Sequence, residues 1–347
     1  MLANTKPWLV LSLLLLAMLQ CVYGKPQVHC FYVFGDSLSD NGNNNNLETA
    51  AKANYAPYGI DSTAGPTGRF CNGLNTIDYT CKLLGFKECI PPHANANTGG
   101  SDILQGLNYA SGAAGIRPES GKHLGDNIDL GRQIGNHRAI YWRIVSRLGG
   151  FRNATQYFNK CLYYVNIGNN DYINNYFLPQ RYPRSRIYTV NKYTDDLIHR
   201  LSRYIKVLHE LGARKYVVCG TGLIGCTPNA ISRRGTNGSL CVDELNAASF
   251  IFNSKLKSKV DKLKTIFTDS KFVFINGTDG TLDASLGFTV VNAPCCPTRE
   301  DGQCVPNSTP CPNRRSHVFY DEYHPTTRAA EFIALGSYNQ YGPHLTH

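Results

Sequence analysis

Two short patterns that mark common hydrolase designs are missing from this sequence. No G-x-S-x-G pentapeptide occurs, which argues against the strand-to-helix elbow on which α/β-hydrolases carry their serine. No H-E-x-x-H occurs either, so the helix-borne zinc pair of many metalloproteases is lacking. There is no internal repeat, and repeat architectures drop out. The formal charge is +10, yet no dense basic block is present. Arg181, Arg184 and Arg186, and the pairs Arg233-Arg234 and Arg314-Arg315, are small clusters in loop-like segments. The surplus reads as a solvated basic surface, and no nucleic-acid partner is expected. Beyond the first 24 residues no apolar run reaches spanning length, so no transmembrane segment is expected.

What is present begins with a leader. Lys6 is followed by Trp8–Leu19, apolar except for Ser12, and then by small residues at Val22 and Gly24. A bilayer core of about 30 Å is too thick for so short a run, whereas a signal peptide needs no more. Residues 1–24 are therefore expected to be removed, leaving one domain over 25–347. The 13 cysteines become an even number once Cys21 goes with the leader. In an oxidising compartment that predicts several disulfides. Sequons at Asn153, Asn237, Asn276 and Asn307 are glycosylation candidates. A secreted, extracellular protein is expected, with the cell wall and the vacuole as candidate destinations.

Apolar content is 42%, enough for a sizeable core. Continuous β-rich runs at 31–34, 104–109, 162–167, 215–219 and 272–275 read as strands buried on both faces. Helical patterns separate them. Leu197, Leu201, Ile205, Leu208 and Leu211 form one stripe, stopped by Gly212. Leu245, Phe252, Leu256, Val260 and Leu263 form another within 243–267. A last helix is expected over 325–337, opened by Pro325. The alternation predicts an α/β/α sandwich around a mostly parallel sheet. Ligands of such sheets bind beyond the carboxyl ends of the strands. Polar, Gly-rich stretches near 41–73, 91–101 and 111–127 supply the longer connections.

Four polar clusters fall at such ends. Gly35-Asp36-Ser37 closes the first strand, and Ser37 there suits either a helix cap or a nucleophile. Asn41–Asn46 follow as a polar loop with no assigned catalytic role. Asp321 lies three residues before His324, close enough to orient an imidazole. Gly112 in Asn108–Gly115, and Asn170 in Ile167–Asp171, could turn N–H groups towards a developing oxyanion.

Taken in order, F-G-D-S-L at 34–38, A-S-G at 110–112, G-N-N-D at 168–171 and D-x-x-H-P at 321–325 resemble the GDSL esterase/lipase family, a branch of the SGNH hydrolases. The extended forms D-N-G-N-N-N at 40–45, G-R-F at 68–70, N-Y-A-S-G at 108–112 and Y-D-E-Y-H-P-T at 320–326 look like its secreted plant branch. The resemblance covers nearly all of the mature chain. It implies a flavodoxin-like fold, Ser37 as nucleophile, His324 as base and Asp321 as the acid that orients it. It also implies an oxyanion hole from the Ser37 and Gly112 N–H groups and the Asn170 side chain. Tyr320 stands where Trp is usual, and Cys71 where Ser is common.

The expected activity is hydrolysis of carboxylic esters through an acyl-enzyme. The expected substrate is a small-molecule, lipid or acylated-carbohydrate ester. An acyltransferase using the same site, or a non-catalytic secreted binding protein, is the alternative. No cofactor and no metal are expected: Cys295, Cys296, Cys304, Cys311 and His317 could be drawn as a zinc set, but disulfides suit a secreted chain better. Tyr172, Tyr176 and Phe177 either line a pocket or pack their loop.

Overall fold

The computed structural model describes residues 25–96, 103–280 and 282–345. The expected leader over 1–24, and residues 97–101 of the stretch near 91–101, lie outside the described residues.

The central sheet is built from β1 (Phe31–Gly35), β2 (Gly106–Asn108), β3 (Leu162–Asn166), β4 (Lys215–Cys219) and β5 (Lys271–Ile275). Their order is β2-β1-β3-β4-β5, with every pair parallel. Successive side chains leave opposite faces. Tyr32, Phe34, Tyr163, Val165, Tyr216 and Val218 enter one core. Phe31, Val33, Leu162, Tyr164, Val217 and Cys219 enter the other. Two apolar faces explain why the strands read as unbroken runs rather than alternating ones.

Helices cover both faces. The first core receives α2 (Leu130–Arg147), α3 (Phe151–Phe158), α4 (Val190–Glu210) and α6 (Asp243–Ile266). The second receives α1 (Thr76–Leu83) and α7 (Thr327–Tyr341). A further helix, α5 (Pro228–Arg234), lies between β4 and α6. In α4 the stripe Leu197, Leu201, Ile205 and Leu208 is buried, and Gly212 ends the helix region at φ 96°. This is the expected three-layer α/β/α fold in flavodoxin-like strand order. The chain passes from β1 to β2 on one side of it and from β2 across to β3 on the other, which opens a crevice at the carboxyl ends of β1 and β3.

Two expectations are corrected. Thr326, not Pro325, caps α7: its side chain accepts from the Ala329 N–H at 3.3 Å. Pro325 stands one residue before the cap, and the helix runs on to Tyr341. No helix follows Ser37, because polar side chains there bond their own backbone and compete with helix formation. A second parallel pair, β6 (Val290–Pro294) with β7 (His317–Phe319), was not foreseen. Its Val291 and Asn292 are exposed, so the continuous apolar signature of a buried strand is absent.

Five disulfides join Cys30–Cys161, Cys81–Cys89, Cys226–Cys241, Cys295–Cys311 and Cys296–Cys304. Cys71 and Cys219 are free and buried, so not all of the twelve are used. No helix among the described residues is long and apolar enough to cross a membrane.

Candidate active site

Gly35 sets where the first strand ends. Its N–H and C=O are both held by the buried Gln133 side chain of α2, at 2.9 and 2.8 Å. A Cβ at this position would lie 2.8 Å from the Asn166 carbonyl of β3, so only glycine fits. The chain then turns on Asp36. Its carboxylate accepts from Leu38 N–H at 3.0 Å, and its carbonyl accepts from the Ser39 and Asp40 N–H groups. Asp36 thereby holds the turn, and no helix is present for Ser37 to cap. The Ser37 hydroxyl is left half-buried and faces a distant partner.

That partner is His324, whose Nε2 lies 2.8 Å from Ser37 Oγ. On the other side of the ring, Nδ1 lies 2.7 and 2.9 Å from the Asp321 carboxylate oxygens. Asp321 is fully buried and itself firmly held. Its Oδ1 accepts from the Tyr323 and His324 N–H groups, both at 2.8 Å. Its Oδ2 accepts from the Tyr58 hydroxyl at 2.6 Å. The Phe70 ring lies 4.8 Å from the imidazole, centroid to centroid, and packs its apolar surface against it.

Tyr58 was missed in the sequence. Its hydroxyl also accepts from Cys304 N–H at 3.1 Å, inside the loop closed by Cys296–Cys304. Tyr320 is buried too and donates to the Pro57 carbonyl at 2.6 Å. Nothing in a Tyr-Gly pair at 58–59 signals a partner this far away in the chain.

The asparagine row is not a solvated loop. Asn41, Asn43 and Asn44 are buried, and each amide reaches a backbone carbonyl. Asn43 Nδ2 donates to the Asn108 and Ala110 carbonyls, and Asn44 Nδ2 to those of Ala51 and Gly112. Asp40 joins them. Its Oδ1 accepts from Gly42 and Asn43 N–H, and its Oδ2 accepts from Gly112 N–H at 2.9 Å. Burial pushes the carboxyl groups of Asp36 and Asp40 up to about 6, opposed by the N–H groups around them. Both remain mostly ionised at neutral pH.

The Gly112 amide therefore has a carboxylate partner and does not face open space. Its glycine has a packing reason: a Cβ there would come within 2.7 Å of Phe70 Cζ and of Asn44 Nδ2. Asn170 follows β3. It donates through Nδ2 to the Ala114 carbonyl at 3.0 Å and accepts at Oδ1 from Asn174. An amide nitrogen carries two hydrogens, so one remains free. The neighbouring Asn169 bridges Asp36 and Gly222 N–H.

Ser37, Phe70, Ala113, Asn170 and His324 line one groove with a volume of about 1580 Å³. Phe177 lines it as well, whereas Tyr172 and Tyr176 pack inward against Tyr193. The three aromatics thus divide between the two roles expected of them. Arg234 stacks over Phe177 and donates to its carbonyl at 2.6 Å.

Cys295, Cys311 and His317 do come together, but the two sulfurs are joined in a disulfide and are not thiolate donors. Of the sequons, Asn153, Asn237 and Asn307 are exposed. Asn276 is half-buried, bonded to Asn253 and Asp279, and on the groove wall.

Comparisons with known proteins place the chain in a family. The family described as GDSL-like Lipase/Acylhydrolase matches residues 31–336. Three Arabidopsis thaliana proteins, each named GDSL esterase/lipase, are 43%, 44% and 46% identical to this chain. They cover 96%, 96% and 90% of it, over 93%, 94% and 87% of their own lengths. The protein is a carboxylic ester hydrolase of α/β architecture. It belongs to the GDSL-like lipase/acylhydrolase family.

Proposed function

We propose that the protein is a secreted serine esterase or lipase, working from one domain over residues 25–347 after loss of its leader. One observation carries the mechanism: the unbroken relay from Ser37 Oγ to His324 Nε2, and from His324 Nδ1 to Asp321. His324 takes the Ser37 proton as Oγ bonds to the ester carbonyl carbon, and the carbonyl electron pair moves to oxygen. The tetrahedral oxyanion meets the Ser37 N–H and the free Asn170 Nδ2 hydrogen. Collapse breaks the C–O bond, and His324 protonates the departing alcohol. Water then repeats the sequence on the acyl-enzyme. The groove accepts small-molecule, lipid or acylated-carbohydrate esters, and disulfides and exposed sequons support an extracellular setting. Labelling by a fluorophosphonate, together with turnover of p-nitrophenyl butyrate, tests the reading. Failure of both on folded protein refutes it, and transfer to an added alcohol in preference to water would replace it with an acyltransferase.

Two variants grade the parts of the site. Asn170→Ala removes one oxyanion donor and should lower kcat by about 10²–10³-fold with little change in KM. The same change also frees the Ala114 carbonyl, so circular dichroism and a melting curve must accompany the kinetics. Tyr58→Phe deletes the hydrogen bond to Asp321. A hydrogen bond to a charged group is worth about 1.5–3 kcal/mol, so kcat should fall by roughly tenfold or more. An unchanged kcat with a lowered melting temperature would show Tyr58 to be packing alone.

A further inference from the structure

We infer that the third oxyanion donor is the backbone N–H of Ala113, not that of Gly112. The inference rests on the serine-esterase reading of the site and refines it. The other backbone polar groups of the turn Ser111–Ala114 all have partners. Ser111 N–H donates to the Gly35 carbonyl, and its own carbonyl accepts from Ala114 N–H. Gly112 N–H is held by Asp40 and its carbonyl by Asn44. The Ala113 carbonyl accepts from Asn127 Nδ2 at 3.2 Å, and the Ala114 carbonyl from Asn170. Even the Ser111 hydroxyl is used twice, towards Asn44 and by Ile128 N–H. Among the described residues, Ala113 N–H is the one backbone polar group of this turn without a partner. A buried amide in that state is uncommon, and each instance calls for an explanation.

Its position supplies the explanation. Ala113 is 5% exposed, and it lines the groove together with Ser37 and Asn170. Gly112 does not line it. Ala113 also has a φ of 62°, one of three non-glycine residues on the positive side among the described residues. The left-handed region costs an alanine of order 1 kcal/mol or more, and surrounding contacts must hold it there. They do so here. Asp40 fixes the Ser111–Gly112 peptide, Asn44 the Gly112–Ala113 peptide and Asn127 the one after, and Gly121 packs so close that a Cβ on it would lie 2.1 Å from the Ala113 carbonyl. The buried Asp40 thus withdraws the Gly112 N–H, and Asn44 sets the following peptide, whose N–H is left for the substrate. In the acylation step this N–H receives charge only as the carbonyl carbon becomes tetrahedral, so it acts on kcat.

A crystal structure of the Ser37 adduct tests it. A p-nitrophenyl alkylphosphonate is attacked by Ser37 Oγ at phosphorus. The P–O bond to p-nitrophenolate breaks, and the serine proton passes to His324. The phosphonyl oxygen then stands in for the oxyanion. It should lie within about 3.2 Å of Ser37 N, Ala113 N and Asn170 Nδ2, with Gly112 N still on Asp40. A phosphonyl oxygen bonded to Gly112 N, with Asp40 turned away, overturns the inference and leaves the esterase reading intact. An oxygen held by Ser37 and Asn170 alone does the same. No adduct on folded protein overturns both.

Discussion

Ser37→Ala is expected to lower turnover of p-nitrophenyl acetate and butyrate by about 10⁴–10⁶-fold, with the melting temperature nearly unchanged. The first half follows from chemistry. Without Oγ there is no acyl-enzyme, and only the donors and the groove remain to assist direct attack by water. The second half follows from the geometry. Ser37 Oγ has a hydrogen bond only to His324 Nε2, across the groove, and supports neither the β1 turn nor the sheet. Asp36 holds the turn and Gln133 holds the strand end. Removing a half-buried hydroxyl with one partner, at the edge of a groove that water enters, therefore costs little stability. A folded Ser37→Ala protein with activity within tenfold of wild type would refute the mechanism. Loss of fold in the same variant would instead show that Ser37 is structural.

The strands were legible because burial on both faces writes itself as unbroken apolar runs, and β1, β3, β4 and β5 lie within a residue or two of the expected spans. The long helices were legible for the same reason, through stripes such as Leu197 to Leu208. What could not be read are features settled by distant partners. Asp40 finds Gly112 across 72 residues, and Tyr58 finds Asp321 across 263. A polar run such as Asn41–Asn46 looks solvated in sequence because nothing local says that its amides will meet buried carbonyls. The β6–β7 pair is short and partly exposed, so it carries no periodic signal. The choice between Gly112 and Ala113 is the sharpest case. Both are small and adjacent, the motif favours the glycine, and only the hydrogen-bond inventory separates the two N–H groups.

These long-range bonds have a common result. The carboxylates around Ser37 are committed: Asp36 to its turn and Asn169, Asp40 to three amides, Asp321 to two amides, a phenol and His324. Fixed dipoles around a reacting centre need no reorganisation when charge develops, which is where most of an enzyme's advantage over water arises. The buried Asn43 and Asn44 add to this by holding the Asn108, Ala110 and Gly112 carbonyls.

Asp321→Asn should lower kcat by about 10⁴-fold while leaving the fold in place, because the substitution selects the wrong imidazole tautomer. The direction of the new amide is set by its surroundings. Oδ1 of Asp321 receives two backbone N–H groups, from Tyr323 and His324. Only the carbonyl oxygen of an asparagine can accept them, so its NH₂ must take the place of Oδ2. That place lies 2.7 Å from His324 Nδ1. The NH₂ would donate to Nδ1 and move the ring proton to Nε2. Nε2 would then present a hydrogen to Ser37 Oγ and could not remove one. The Tyr58 hydroxyl, which donates to Oδ2 now, would have to turn and accept. The expected signature is a large fall in kcat, an equal fall in the rate of fluorophosphonate labelling, and a KM within a few-fold of wild type. Turnover should recover in part at high pH, where hydroxide replaces the missing general base. A variant that labels and turns over at the wild-type rate would remove Asp321 from the mechanism and leave a Ser37–His324 dyad.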